Sequence, residues 1–278
     1  MNITNLQNEN RKFINDLGFF HVLEYAADLS VNSSNATSQY FMSKMNVRRR
    51  QVVCDLNGNN TIVTQAGAMQ WTAGNVRMDS GVKGVGDFMK KAFKGVVTNE
   101  SAAKPTYTGA GVLVLEPTYK HIILKDLSQW RGGLVIEDGM FLACDGSVQH
   151  NVISRKNVSS ALLGGEGLFN MVFTGQGVVA LESNVPEAEL IQVDLTNDEL
   201  RIDGSLAVCW SDSLEFTVEK STKSLIGSAV SGEGLVNVYR GTGTVLMSCV
   251  ASTKTLATAT ATGNTTSGAV GAVAGLFK

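Results

Sequence analysis

Apolar positions along this chain come in short runs, and most of them repeat with a period of two. Leu214-Glu215-Phe216-Thr217-Val218-Glu219-Lys220 alternates cleanly between apolar and polar residues, which predicts a half-buried strand. Leu168-Phe169-Asn170-Met171-Val172-Phe173 leads through Gly175-Gln176-Gly177 into Val178-Val179-Ala180-Leu181, which predicts strand, tight turn, strand. Phe13 to Gly18 and Val22 to Tyr25 are also strand-like, whereas Ser33 to Ser38 has the composition of a loop. The exception to the β pattern is Gly86 to Gly95. There Phe88, Met89, Ala92 and Phe93 share one side and Lys90, Lys91 and Lys94 the other, with Asp87 placed to cap a short helix and Gly95 to end it.

The Gly-x-Gly of that turn is one of three. Gly109-Ala110-Gly111, Gly175-Gln176-Gly177 and Gly241-Thr242-Gly243 stand 66 residues apart. Glycine is common here, so the spacing needs other landmarks in the same order. Each copy opens with an apolar run ending in Asp-Leu: Asp55-Leu56, Asp126-Leu127 and Asp194-Leu195. A glycine before small and apolar residues follows at Gly67, Gly139 and Gly204, and then a glutamate at Glu100, Glu166 and Glu233. A long fixed period of this kind marks repeated structural units.

The expected organisation is therefore all-β. It has three tandem units of small antiparallel barrel or sandwich type, each of about six to eight short strands, in a pseudo-threefold arrangement. Residues 1–118 form the first unit, with an N-terminal extension and a helical insertion at 86–95. Residues 119–184 form the second and 185–250 the third; 251–278 form a low-complexity Thr, Ala, Gly and Ser tail. Units of this size bury little surface alone, so one shared core is expected.

Charge and chemistry narrow the function mainly by exclusion. A net charge of −2 offers no basic footprint for generic phosphate binding, and Arg48-Arg49-Arg50 reads as a solvated strand start. The first ten residues are polar and no run of 18 apolar residues occurs, so a cytoplasmic protein is expected. Cys54, Cys144, Cys209 and Cys249 lack metal-ligand spacing, and Cys144 and Cys209 lie inside apolar runs, as buried reduced thiols do. His21, His121 and His150 fall at non-equivalent places and read as structural. The stretch Gly81 to Asp87 is glycine-rich but lacks the Gly-Lys-Ser/Thr ending of a phosphate-binding loop.

No catalytic set assembles, and neither cofactor nor enzymatic activity is expected. Two surfaces remain as candidates. Glu100, Glu166 and Glu233 would meet in a carboxylate ring around a hard cation if they lay near a threefold axis; satisfying hydrogen bonds within their own turns is the simpler role. Lys90, Lys91 and Lys94 form a candidate interaction surface for a membrane or nucleic acid; a connector helix that packs its apolar face on the sheet and leaves these lysines in water is the simpler role.

Gln65-Ala66-Gly67-Ala68-Met69, Gly165-Glu166-Gly167-Leu168-Phe169, Gly232-Glu233-Gly234-Leu235 and the Gly-x-Gly motifs together resemble the bacterial relatives of the "altered inheritance of mitochondria" protein twenty-four, over about Gln51 to Val250. The resemblance implies three fused units with the fold of the tryptophan-sensing RNA-binding attenuation protein, TRAP. It does not carry RNA or tryptophan binding with it, since no Lys or Arg recurs at equivalent positions of the three units. The expectation is a non-enzymatic scaffold that pairs with itself or a protein partner, the alternative being a TRAP-like ligand- or RNA-binding regulator.

Overall fold

A computed structural model describes residues 1–81, 104–154, 169–220 and 235–250. The protein is all-β, its sheets curled into barrel and half-barrel shapes. Fifteen strands among the described residues form one eight-stranded and one seven-stranded antiparallel sheet.

The same pairing scheme occurs three times. β3 (Arg50–Thr64) and β4 (Met69–Asp79) flank β5 (Thr106–Leu115). β6 (His121–Asp126) and β8 (Phe141–Asp145) flank β11 (Val178–Ser183), while β7 (Leu134–Ile136) and β9 (Gln149–Ser154) flank β10 (Phe169–Thr174). β12 (Leu190–Asp203) lies on one side of β15 (Leu235–Ser248), with β13 (Ala207–Ser211) and β14 (Glu215–Lys220) on the other. The second unit has six short strands, within the six to eight that the sequence suggests, whereas the first and third units run the equivalent segments together into fewer, longer strands.

The glycine pairs sit at the bends. Gly109 and Gly111 lie inside β5, and Gly241 and Gly243 inside β15; only Gly175 to Gly177 separates two strands. The tight-turn expectation is therefore corrected at all three sites: even Gly175 to Gly177 carries the chain from one sheet to the other, since β10 and β11 do not pair with each other. What the glycines permit is close passage of a neighbouring strand. A Cβ on Gly111 would meet the Ala73 carbonyl oxygen at 2.1 Å. On Gly177 it would meet Asp145 Oδ2 at 2.8 Å, and on Gly243 the Ser211 Cβ at 2.8 Å. Asp145 Oδ2 accepts from the Val178 N–H at 2.6 Å and Ser211 Oγ from the Thr244 N–H at 3.0 Å, so both bends are tied by a side chain on the crossing strand.

Consecutive units are joined strand to strand. The end of β3 pairs with β8 through Ile62↔Asp145, Val63↔Cys144 and Thr64↔Ala143. β7 pairs with β13 through Leu134↔Ser211, Val135↔Trp210 and Ile136↔Cys209. The principal cores straddle these joins. Phe20, Cys54, Ile62, Leu115, Leu124 and Ala180 pack in one, and Ile123, Ile136, Phe173, Val179, Cys209 and Leu246 in the next. Each fully buried side chain of this size contributes about 1.5–3 kcal/mol, so the joins are as well made as the units. A third cluster, around Trp210 and Tyr239 with Phe216 against them, fills the far end.

The N-terminal extension supplies a hairpin, β1 (Arg11–Leu17) and β2 (Phe20–Tyr25), with β2 paired to the first half of β3. A short helix, α1 (Ala36–Lys44), follows where the composition reads as loop. It buries none of its residues, so it carries no apolar face that periodicity can detect. The helix expected at 86–95 lies outside the described residues.

Arginines 48 to 50 are not a solvated strand start. Arg50 is only 2% exposed, and its guanidinium meets Glu24 at 2.7 Å and Asn46 Oδ1 at 2.8 Å. Arg48 pairs with the same glutamate and Arg49 with Asp28.

Histidine burial makes stability pH-dependent. His121 is pushed down from an ordinary 6.5 to about 4, first by loss of water and second by the Arg50 charge. His150 is also lowered by burial; its ring lies beside the stacked Phe141–Phe173 pair, and its Nδ1 has no hydrogen-bond partner among the described residues. The unfolded chain protonates both as pH falls through about 6.5, whereas the folded protein resists until lower pH. The His121 contribution to stability is thus complete above about 6.5 and lost as pH falls toward about 4, and His150 acts in the same direction. Urea midpoints should fall across this window as pH is lowered, and His121→Asn should make the fall shallower.

Candidate interaction surfaces

The units differ most at their outer edges. In the first two units the ends of the first strand, Ile62–Thr64 in β3 and Leu134–Ile136 in β7, are covered by the next unit. The equivalent end of the third unit is fixed by aromatic partners. Tyr107, Phe173 and Tyr239 each stand two residues before the first glycine of the pair, and they face Ile62, Leu134 and Leu200. Leu200-Arg201-Ile202 therefore corresponds to Ile62-Val63-Thr64 and Leu134-Val135-Ile136. Among the described strands β12 pairs with β15 alone, so all fourteen of its residues leave one edge open. At the opposite end of the chain β4 pairs only with β5.

Charged side chains dress the open β12 edge, as natural edge strands require if they are not to aggregate. Arg201 meets Glu199 at 2.5 Å and Glu219 at 3.3 Å, and Arg240 meets Glu199 at 2.5 Å and Glu219 at 2.6 Å. The Arg240 hydrogen bond above all holds the Glu219 carboxyl down at about 2. This four-residue network was not legible in the sequence, because only pairing of β12, β14 and β15 brings positions 199, 201, 219 and 240 together.

A second feature lies where the N-terminal extension meets the first unit. A polar cleft of about 650 Å³ is lined by Arg11, Tyr25, Asp28, Arg49 and Gln70, among others. Arg11 stacks over Tyr25 and donates to the Leu6 carbonyl at 3.0 Å. Arg49 stacks over Tyr119 and bonds Asp28 at 2.8 Å. The cleft's charges are largely compensated within it, and no group of three or more His, Cys, Asp or Glu side chains among the described residues is arranged to hold a metal.

Glu100, Glu166 and Glu233, and Lys90, Lys91 and Lys94, lie outside the described residues, as do the Gly81–Asp87 stretch beyond Gly81 and the tail. The structure thus gives neither the carboxylate ring nor the lysine surface a geometry. Among the cysteines, Cys54, Cys144 and Cys209 are buried and Cys249 is exposed; all four are free thiols. Burial raises all three inner thiols, Cys144 and Cys209 to about 12. A thiol reagent should accordingly modify one cysteine in the native protein and four after denaturation, counted by intact mass; rapid native labelling of a second would contradict this packing.

The family model described as "Mitochondrial biogenesis AIM24" matches residues 44–250, three units and little else. The chain belongs to the AIM24 family. An uncharacterised protein of Streptococcus pyogenes serotype M6 is 30% identical to this AIM24 protein over 202 residues, covering 70% of this chain and 79% of the relative. A crystal structure of a Streptococcus pyogenes protein is 26% identical, with a TM-score of 0.54 over 73% of this chain and 88% of that one. The match begins at residue 44, so the β1–β2 hairpin and α1 up to Ser43 lie outside what the family model matches. No helix among the described residues is long and apolar enough to cross a membrane.

Proposed function

We propose that this AIM24 protein is a non-enzymatic cytoplasmic scaffold: three tandem TRAP-like units, which assemble with copies of the chain or with a protein partner by strand addition. The observation that carries this reading is the open edge of β12. Among the described strands β12 is paired along one side only, and an unpaired strand edge is a template for another strand.

The RNA-binding alternative draws less support. The arginines nearest to forming a basic patch, Arg48, Arg49 and Arg50, are ion-paired with Glu24 and Asp28, which leaves little charge to displace counterions from a phosphate backbone.

Cross-linking in the native cell followed by mass spectrometry tests the scaffold. Intermolecular cross-links should concentrate on residues flanking β12 and β4. Their absence there, together with a salt-dependent mobility shift on RNA, would transfer the reading to the regulator class.

A further inference from the structure

Resting on the scaffold reading, we infer that the third join is made between molecules: the end of β12 in one copy pairs antiparallel with the start of β4 in a second copy. The two joins inside the chain act as its template. In each, the end of one unit's first strand pairs with the start of the next unit's second strand. The third unit's first strand and the first unit's second strand are the two members of this scheme left open among the described strands.

The register follows from structural landmarks. Each second strand carries a bulge against its third strand, at Gln70, Leu142 and Val208. Cys144 and Trp210 stand two residues beyond their bulges, as Thr72 does beyond its own. The partners of Cys144 and Trp210 are Val63 and Val135, whose equivalent is Arg201. The intermolecular pairs are therefore Leu200↔Ala73, Arg201↔Thr72 and Ile202↔Trp71.

The side chains suit those pairs. Ile202 is buried and Leu200 partly so, and Trp71 and Ala73 are partly buried, so apolar residues meet on the inward side. Arg201 and Thr72 are both exposed and meet on the outward side. The internal joins instead place Val63 opposite Cys144 and Val135 opposite Trp210, all buried. This difference has a physical reason: an edge that is solvated in the free chain needs a polar face, whereas a permanent join does not. The contact is accordingly reversible. It is also head-to-tail, since the two surfaces differ, and such a contact generates rings or open filaments.

Substitutions at exposed Thr72 test the register without touching the core. By light scattering, the mass of the wild type should rise above 29.6 kDa with concentration. Thr72→Lys places a like charge opposite Arg201 and should hold the protein at single-chain mass, with unchanged thermal stability. Adding Arg201→Glu to Thr72→Lys makes an opposite-charge pair and should restore association. As a second measurement, Thr72→Cys and Arg201→Cys chains, each carrying Cys249→Ser, should form a disulfide-linked heterodimer when mixed. Assembly that persists in Thr72→Lys, without mixed disulfide, overturns this register but leaves the scaffold reading standing on another edge. A wild type fixed at single-chain mass overturns the intermolecular join, and the scaffold reading then depends on the partner cross-links alone.

Discussion

Gly109→Ala should destabilise the protein by about 3 kcal/mol or more, the combined cost of overpacking against backbone and of a left-handed conformation for a residue with a Cβ. Gly109 has a φ of +110°, and an added Cβ would lie 2.0 Å from the Asn75 carbonyl oxygen. That oxygen belongs to β4, which pairs with β5 on both sides of the bend, so it has no side-chain freedom with which to retreat. Two control positions separate the causes. Gly67 has a φ of +78° and nothing within 4 Å of an added Cβ; Gly241 has a φ of +120° and its nearest atom at 3.6 Å. Alanine at either should cost only the conformational part, on the order of 1–2 kcal/mol. Urea unfolding followed by tryptophan fluorescence reads the series. Equal losses at all three positions would show that close strand passage contributes nothing.

That series also explains why the glycines were visible in the sequence while their role was not. A residue that must lack a Cβ leaves a fixed letter at a fixed spacing, and 66 residues is long enough to stand out against the background glycine content. The letter does not say whether the chain reverses or merely bends. At Gly175 to Gly177 the strand breaks, but at Gly109 and Gly241 it continues, because the partner strands β3 and β12 shift register at the same level and follow the bend. Alternation at 214–220 was legible as β14 although its two faces differ little in burial: Thr217 is buried, while Phe216 and Val218 are only partly so. Helix α1 was illegible: with no buried residue, it writes no periodicity. The interaction surfaces were hidden more deeply. An open edge is a property of missing neighbours, and the sequence of β12 does not reveal which of its edges is covered.

The Arg50 charge is buried against Glu24, not solvated as its place in a run of three arginines suggests, and the effect of removing its partner is large. Glu24→Gln should cost about 3–5 kcal/mol, the range found when one partner of a buried ion pair is removed and the other charge stays in place. Glu24 is 14% exposed in its side chain and receives both Arg48, at 2.9 Å, and Arg50, at 2.7 Å. Arg50 cannot escape to water. Its backbone N–H and C=O are bonded to Thr118 at 2.8 Å each, and its Nη1 reaches the Arg48 carbonyl. Removing the arginine with the glutamate should be far milder. Glu24→Leu with Arg50→Met replaces a desolvated pair by apolar groups of similar length, a change that is often close to neutral. The double substitution should therefore be several kcal/mol more stable than Glu24→Gln alone, although it alters twice as many residues. Chemical denaturation of the wild type, Glu24→Leu, Arg50→Met and the double substitution measures the coupling directly. Losses that simply add would mean that Arg50 is solvated after all. If they fail to add as argued, Glu24 and Arg50 serve to lock the start of β3 against β2 and Thr118, just where the family match begins. The N-terminal hairpin is then an integral cap on the first unit, held by an ion pair that only the hairpin can complete.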